Sequence, residues 1–199
     1  MEILNNNLKK ESYNQPGIID KKDQMSNFDY YDRLIEIKHL LRTELKRKTQ
    51  LAFMGEIVTS TKEKPIVGTT GLATCNGIIF YDRKNRKAWV GHGPASSSHL
   101  TLMEMLTDIK DVTGDLEYSI IPGYDNLHNK DLKESERLRM LLYAYCPKQI
   151  KLIPMNNLTV RLDKRANPSY EFAFNAETGE SVTNNLFYDD DYMNKISKK

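Results

Sequence analysis

The chain has 199 residues and a formal net charge of +2, from 29 Lys and Arg against 27 Asp and Glu. Near-balanced charge argues against a general polyanion binder, so no nucleic-acid partner is expected, and no apolar run approaches the ~18 residues that a membrane span needs. Two cysteines, Cys75 and Cys146, are too few for a disulfide framework or a common structural zinc site. The N-terminal Met-Glu-Ile-Leu and three Asn lack the basic-then-apolar order of a secretory signal. These features describe one globular domain with extensions, expected in the cytoplasm.

Residues 1–27 read as a polar tail, with Asn5, Asn6, Asn7 and Pro16 and too few apolar residues to bury a face. Phe28, Tyr31, Leu34, Ile37, Leu41 and Leu45 then recur every three or four positions, which predicts an amphipathic helix within 28–50. Asp29 and Asp32 in its first turn and Arg42, Lys46, Arg47 and Lys48 in its last suit the helix dipole, so the basic end reads as a solvated face.

The globular domain is expected over 51–185. Met54–Ser60, Gly77–Tyr81 and Lys87–Gly91 read as strands, the last two separated by the turn residues Asp82–Arg86. Ser97 or Ser98 is a candidate N-cap for a helix carrying Leu100, Met103, Leu106 and Ile109 and closed by Gly114. A strand at Leu116–Ile121 ends at Pro122-Gly123. The next helix, Glu134–Tyr145, has Leu138, Leu141, Leu142 and Tyr145 on its apolar side and Pro147 as its stop. Gln149–Ile153, Leu158–Leu162 and Tyr170–Phe174 read as strands, the last two alternating so that each buries one face. Glu177–Glu180 is a turn, and Asp189–Asp191 belongs to a C-terminal tail over 186–199. The predicted fold class is α+β (or α/β): a layered sandwich built on a mixed sheet of about six strands, with two interior helices and an N-terminal helix.

The stretch with chemical content is Gly68–Pro94. A loop rich in Gly and Thr, Gly68-Thr69-Thr70-Gly71-Leu72-Ala73-Thr74-Cys75, leads into one strand, and the next strand ends at His92-Gly93-Pro94. Cys75 and His92 are seventeen residues apart, and a hairpin between the two strands brings them to the same end of a sheet. A thiol is mostly protonated at neutral pH, and an adjacent imidazole that takes its proton makes it a nucleophile. Small neighbours, Gly71, Ala73 and Gly77, leave room for a substrate backbone, and loop amides are available as oxyanion donors. On spacing alone the alternative that both residues are ordinary packing residues stays open, and spacing identifies no Asp or Asn partner.

Several segments in order resemble one known family. Met54-Gly55-Glu56-Ile57-Val58, the loop Thr69-Thr70-Gly71-Leu72-Ala73-Thr74-Cys75, the strand Gly77-Ile78-Ile79-Phe80-Tyr81-Asp82 and then His92 before a Pro resemble CheD, the chemoreceptor glutamine deamidases. Val160-Arg161, Tyr170–Phe174 and the turn Glu177-Thr178-Gly179-Glu180 are similar to that family's closing strands, so the resemblance covers roughly residues 52–182. A wider group, including bacterial toxins of the cytotoxic necrotizing factor type, shares the Cys–His–Thr arrangement.

The resemblance implies that Cys75 is the nucleophile, His92 its general base and acid, and Thr69 the group that orients His92. It implies hydrolysis of a glutamine (or asparagine) side chain in a protein through a thioester, with no metal and no organic cofactor. The partners it implies are a protein substrate bearing the target Gln and a regulatory protein. Ala73-Thr74 stand where the family has Gly-Ser, and Gly93-Pro94 then Ser96, Ser97 and Ser98 where it has an apolar stretch ending Leu-Pro. Thr74, Ala73, Gly93 and Ser96 are therefore the expected rim, holding the oxyanion or lining the substrate. Two other readings stay open: a catalytically idle binding module, and a related Cys–His amidase or transglutaminase-like enzyme. A chain delivered into another cell is the alternative to a cytoplasmic one.

The remaining candidates read as structural. Cys146 near a helix end is a small core residue, and Trp89 points to the opposite face from His92 because three residues separate them on one strand. His99, at a helix start, suits a surface or capping role or a base acting behind the site. His39 and His128 carry no assignment, and Tyr124-Asp125-Asn126 is a loop able to line a pocket.

Overall fold

The structure, a computed structural model, describes residues 41, 43–112, 115–130, 132–146, 150–154, 156–163 and 168–182. The tails expected at 1–27 and 186–199, most of the helix expected at 28–50 with His39, and the stops Gly114 and Pro147 lie outside them. Residues 43–47 are helical, as expected for the end of that helix.

In chain order the elements are β1 (Thr49–Ala52), β2 (Ile57–Thr59), β3 (Ile66–Leu72), β4 (Asn76–Asp82), β5 (Lys87–Gly93), α1 (Ser98–Ile109), β6 (Leu116–Ile121), α2 (Tyr124–His128), α3 (Lys133–Tyr145), β7 (Lys151–Leu152), β8 (Arg161–Asp163), β9 (Ser169–Asn175) and β10 (Glu180–Ser181). The fold is α+β, as expected, but with two five-stranded mixed sheets in place of one sheet of about six strands. One sheet runs β1-β3-β9-β10 with β8 also on β9; the other runs β2-β5-β4-β6-β7.

The second sheet explains the layering. Along β5, Ala88 and Val90 face one side and pack with Val67, Leu72, Phe172 and Phe174 from the first sheet, making the core between the sheets. Trp89, on the other side, packs with Leu102, Met105 and Ile109 of α1 and Leu138 and Leu142 of α3. The order is therefore sheet, sheet, helices, each layer burying an apolar face that would otherwise meet water. Trp89 is a packing residue on the face opposite His92, as its spacing required. No helix among the described residues is long and apolar enough to cross a membrane.

Four expectations need correction. Gly68–Cys75 is not a loop throughout: Ile66–Leu72 is a strand, with a register shift between Thr69 and Leu72. Gly71, at φ +76°, makes that irregularity, while a Cβ on Gly68 would crowd Ala173 Cα at 2.9 Å, so Gly68 lets the strand press against its neighbour. Only Ile57–Thr59 of the strand expected at Met54–Ser60 forms, because Gly55 at φ +86° turns the chain and leaves Met54 exposed. In Leu158–Leu162 only Arg161 and Leu162 belong to a strand, and Leu162 faces solvent, while both faces of β9 are covered and Glu171 is fully buried. The buried stripe of α1 is Thr101, Leu102, Met105 and Ile109, leaving Leu100 and Met103 outside, and Tyr145 of α3 is likewise exposed.

Candidate active site

β4 and β5 form the antiparallel hairpin expected from sequence, with Gly77 opposite His92 and Asn76 opposite Gly93. Cys75, the residue before β4, therefore stands at the same end of the hairpin as His92. Both are buried, and both belong to the region between the two sheets, where Cys75 packs among Leu72, Ile121 and Phe172.

Thr69 reaches this region from the other sheet. Its Oγ1 lies 2.8 Å from His92 Nδ1 and donates to the Ala52 carbonyl at 2.8 Å, Ala52 being its register partner on β1. A hydroxyl has one proton, and here it goes to a carbonyl that can only accept. Thr69 Oγ1 consequently accepts from Nδ1–H, which fixes the imidazole tautomer and leaves Nε2 with its lone pair. Nε2 is buried and has no hydrogen-bond partner among the described residues. Burial pushes the His92 imidazole below its ordinary value, and the Ala52 carbonyl partly counters this. The backbone of His92 is held as well, by Gly55 N–H on its carbonyl at 2.8 Å and by the Glu56 carbonyl on its N–H at 3.0 Å.

The bend Ala73–Cys75 is gripped by the segment that follows β6. Asp125 N–H donates to the Ala73 carbonyl at 2.9 Å, and Asn126 Nδ2 donates to the Thr74 carbonyl at 2.7 Å. Gly123 is packed so closely that a Cβ there would overlap the Ala73 carbonyl oxygen and come within 2.6 Å of the Cys75 carbonyl oxygen. Pro122 and Leu127 of the same segment, with Ile120, Ile121, Val160 and Tyr170, line an open apolar cleft of about 400 Å³.

The fully buried Asn76, next to Cys75, ties β4 to the helical layer. Its Nδ2 donates to Ser98 Oγ at 3.0 Å, and its Oδ1 accepts from Ser135 Oγ at 2.8 Å. Ser98 Oγ in turn reaches the carbonyls of Gly93 at 3.0 Å and Pro94 at 2.6 Å, so one chain of bonds joins Cys75's neighbour to His92's. Ser98 thus braces the preceding strand instead of capping α1, and the N-cap position, Ser97, makes no side-chain capping bond.

Of the residues expected at the site, Thr69 and His92 are in contact, and Cys75 stands at their end of the hairpin. Thr74 is exposed and Ala73 half-buried in the gripped bend. Gly93 lies inside β5, where a Cβ would press on Ser98 at 2.8 Å, and Ser96 is exposed in the turn before α1. His99 faces Glu134 at 3.8 Å, His128 stacks on Tyr124 at 3.8 Å between ring centres, and Cys146 is half-buried against the helical core. Asn76, Ser135 and Ala52 were not anticipated, and Ser98 was expected only as a candidate N-cap; a lone Asn opening an apolar strand beside the thiol was the one sequence signal for Asn76. Among the described residues no group of three His, Cys, Asp or Glu is placed to hold a metal ion. Compared with known proteins, the chain matches no protein-family model and no curated sequence.

Proposed function

We propose that this protein is a cysteine-dependent amidohydrolase of the CheD-like deamidase type, acting on a glutamine (or asparagine) side chain of another protein. The observation that carries the reading is the state of His92: Nδ1 is held by Thr69, and Nε2 is buried with no hydrogen-bond partner among the described residues, at the hairpin end where Cys75 stands. A buried imidazole nitrogen left unbonded costs free energy, and groups of this kind concentrate at reactive sites.

In this mechanism Nε2 takes the Cys75 proton as sulfur attacks the side-chain carbonyl carbon. The oxyanion that forms is held by the N–H groups of Thr74 and Cys75, neither of which donates elsewhere among the described residues. The C–N bond breaks as His92 returns the proton to the departing nitrogen, and ammonia leaves. Water, deprotonated by Nε2, then attacks the thioester, and the C–S bond breaks to give the acid and the thiol. The reading places the chain in a reducing compartment, where both thiols stay free, in keeping with the unpaired Cys75 and Cys146.

The test is ammonia release, with the small mass gain of amide-to-acid conversion, on proteins retained by a Cys75→Ala trap. Conversion should be absent in Cys75→Ser and His92→Ala. A folded wild-type chain whose Cys75 resists iodoacetamide at neutral pH would end the proposal, and incorporation of added amines in place of water would move it to the transferase form.

A further inference from the structure

The three carbonyls of the Ala73–Cys75 bend all meet the segment 123–126. Asp125 N–H holds the first, Asn126 Nδ2 holds the second, and Gly123 lies against the third. In a trans peptide the C=O of one residue and the N–H of the next point in opposite directions. Holding the Ala73 and Thr74 carbonyls on one side therefore turns the N–H groups of Thr74 and Cys75 to the other. Neither N–H is consumed by a bond among the described residues.

We propose that Asn126 is a positioning residue for acyl transfer: by donating to the Thr74 carbonyl it aims the Cys75 N–H at the oxygen of the reacting carbonyl. The inference rests on the acyl-transfer reading above. Asp125 acts through its backbone N–H, which no side-chain truncation removes, and Gly123 acts by having no side chain. Asn126 is the one side chain of the segment that sets a peptide plane of the bend. It is only half-buried at 2.7 Å from the carbonyl it holds, so its removal should leave the fold intact. The carbonyl needs a neutral or positive donor, so an Asp at this position would face it oxygen to oxygen.

Two probes of Cys75 in the full-length chain separate this role from a structural one. With 4-nitrophenyl acetate, sulfur forms a bond to the acetyl carbon and its proton passes to His92. 4-Nitrophenolate leaves with the electron pair of the broken C–O bond, after a tetrahedral oxyanion. With iodoacetamide, sulfur displaces iodide at a saturated carbon and no oxyanion forms.

Asn126→Ala and Asn126→Asp should slow Cys75 acylation by about tenfold or more, a part of what losing an oxyanion donor outright costs. Alkylation should stay within about twofold of wild type, because the thiol and its base are untouched. Asn126→Gln, which keeps the donor, should recover most of the acylation rate. Unchanged acylation in Asn126→Ala would overturn the proposal, and so would equal losses in both reactions, which mark general damage to the bend. A wild-type Cys75 that is alkylated but never acylated would remove the acyl-transfer reading itself, and this inference with it.

Discussion

Thr69 and His92 meet at 2.8 Å although they belong to different sheets, Thr69 to β3 and His92 to β5. The bond crosses the core between the layers, so the orientation of the imidazole depends on the packing of one sheet against the other. Thr69 is itself fully buried and anchored to the Ala52 carbonyl, which leaves it no freedom to turn away.

Thr69→Val is therefore expected to keep the volume and lose the acceptor. The His92 ring would be free to rotate, and Cys75 acylation should fall about tenfold or more, a part of the roughly 10²–10⁴-fold that a positioned general base supplies. Thr69→Ser keeps the oxygen and should retain most of the rate. Stopped-flow acylation with 4-nitrophenyl acetate measures both, and wild-type rates in Thr69→Val would remove Thr69 from the mechanism.

The lowered pKa of His92 has two consequences with defined signs. The acid limb of the acylation rate should lie below the ordinary histidine value of about 6.5, because burial keeps Nε2 unprotonated further into acid. For stability, the unfolded chain binds the proton first as pH falls through about 6.5, while the folded chain resists it until its own lower pKa. The contribution is thus complete above about 6.5 and is lost as the pH drops below that value. Thermal midpoints of wild type and His92→Gln between neutral and mildly acidic pH check this, and the wild type should lose more. Parallel slopes would show that His92 does not titrate differently in the two states.

The β4–β5 hairpin was legible because its signals are local: Asn76–Asp82 and Lys87–Gly93 are apolar runs around a polar turn, and the hairpin register alone sets Cys75 and His92 at the same end of a sheet. The Thr69 contact was reached only through family resemblance, since it depends on how two sheets face one another, which no periodicity encodes. β1 and β10 escaped notice because they have four and two residues and are recruited by their partners, not by their own propensity. Gly68 and Gly71 read as loop residues because glycine marks both turns and close strand contacts. The network of Asn76, Ser98 and Ser135 joins a strand to two helices over separations of 22 and 59 residues, and such pairings leave no trace in spacing.

Gly123→Ala is expected to displace the bend. The new methyl would overlap the Ala73 carbonyl oxygen and approach the Cys75 carbonyl oxygen at 2.6 Å, both backbone atoms that cannot swing aside. Overpacking of this kind costs about 1–3 kcal/mol, and acylation should fall with it. Gly71→Ala is the informative comparison, since nothing lies within 4 Å of its Cβ position and the cost comes from φ +76° alone. It should destabilise by about 1 kcal/mol while leaving acylation closer to wild type than Gly123→Ala does. The opposite ranking of the two acylation rates would contradict the role given to the segment after β6.

Asn76 and Ser135 should separate stability from chemistry. Ser135→Ala removes one bond from the network and frees one acceptor on Asn76, at a cost of about 1 kcal/mol, with Cys75 acylation near wild type. Asn76→Ala strips both serines of their partner in a fully buried position and opens a gap beside the thiol, so a loss of about 2–4 kcal/mol is expected. Asn76→Asp offers oxygen to Ser135 but has no donor for Ser98, whose proton is already shared between the Gly93 and Pro94 carbonyls. Ser98 must then abandon those carbonyls or leave one oxygen of a buried carboxylate without a donor, and either outcome loosens the strand end that carries His92. Urea denaturation of the three variants measures the stability order, and acylation rates measure the effect on the site. Equal stability losses in Ser135→Ala and Asn76→Asp, with acylation unchanged in both, would show that Ser98 does not couple Asn76 to the strand end of His92.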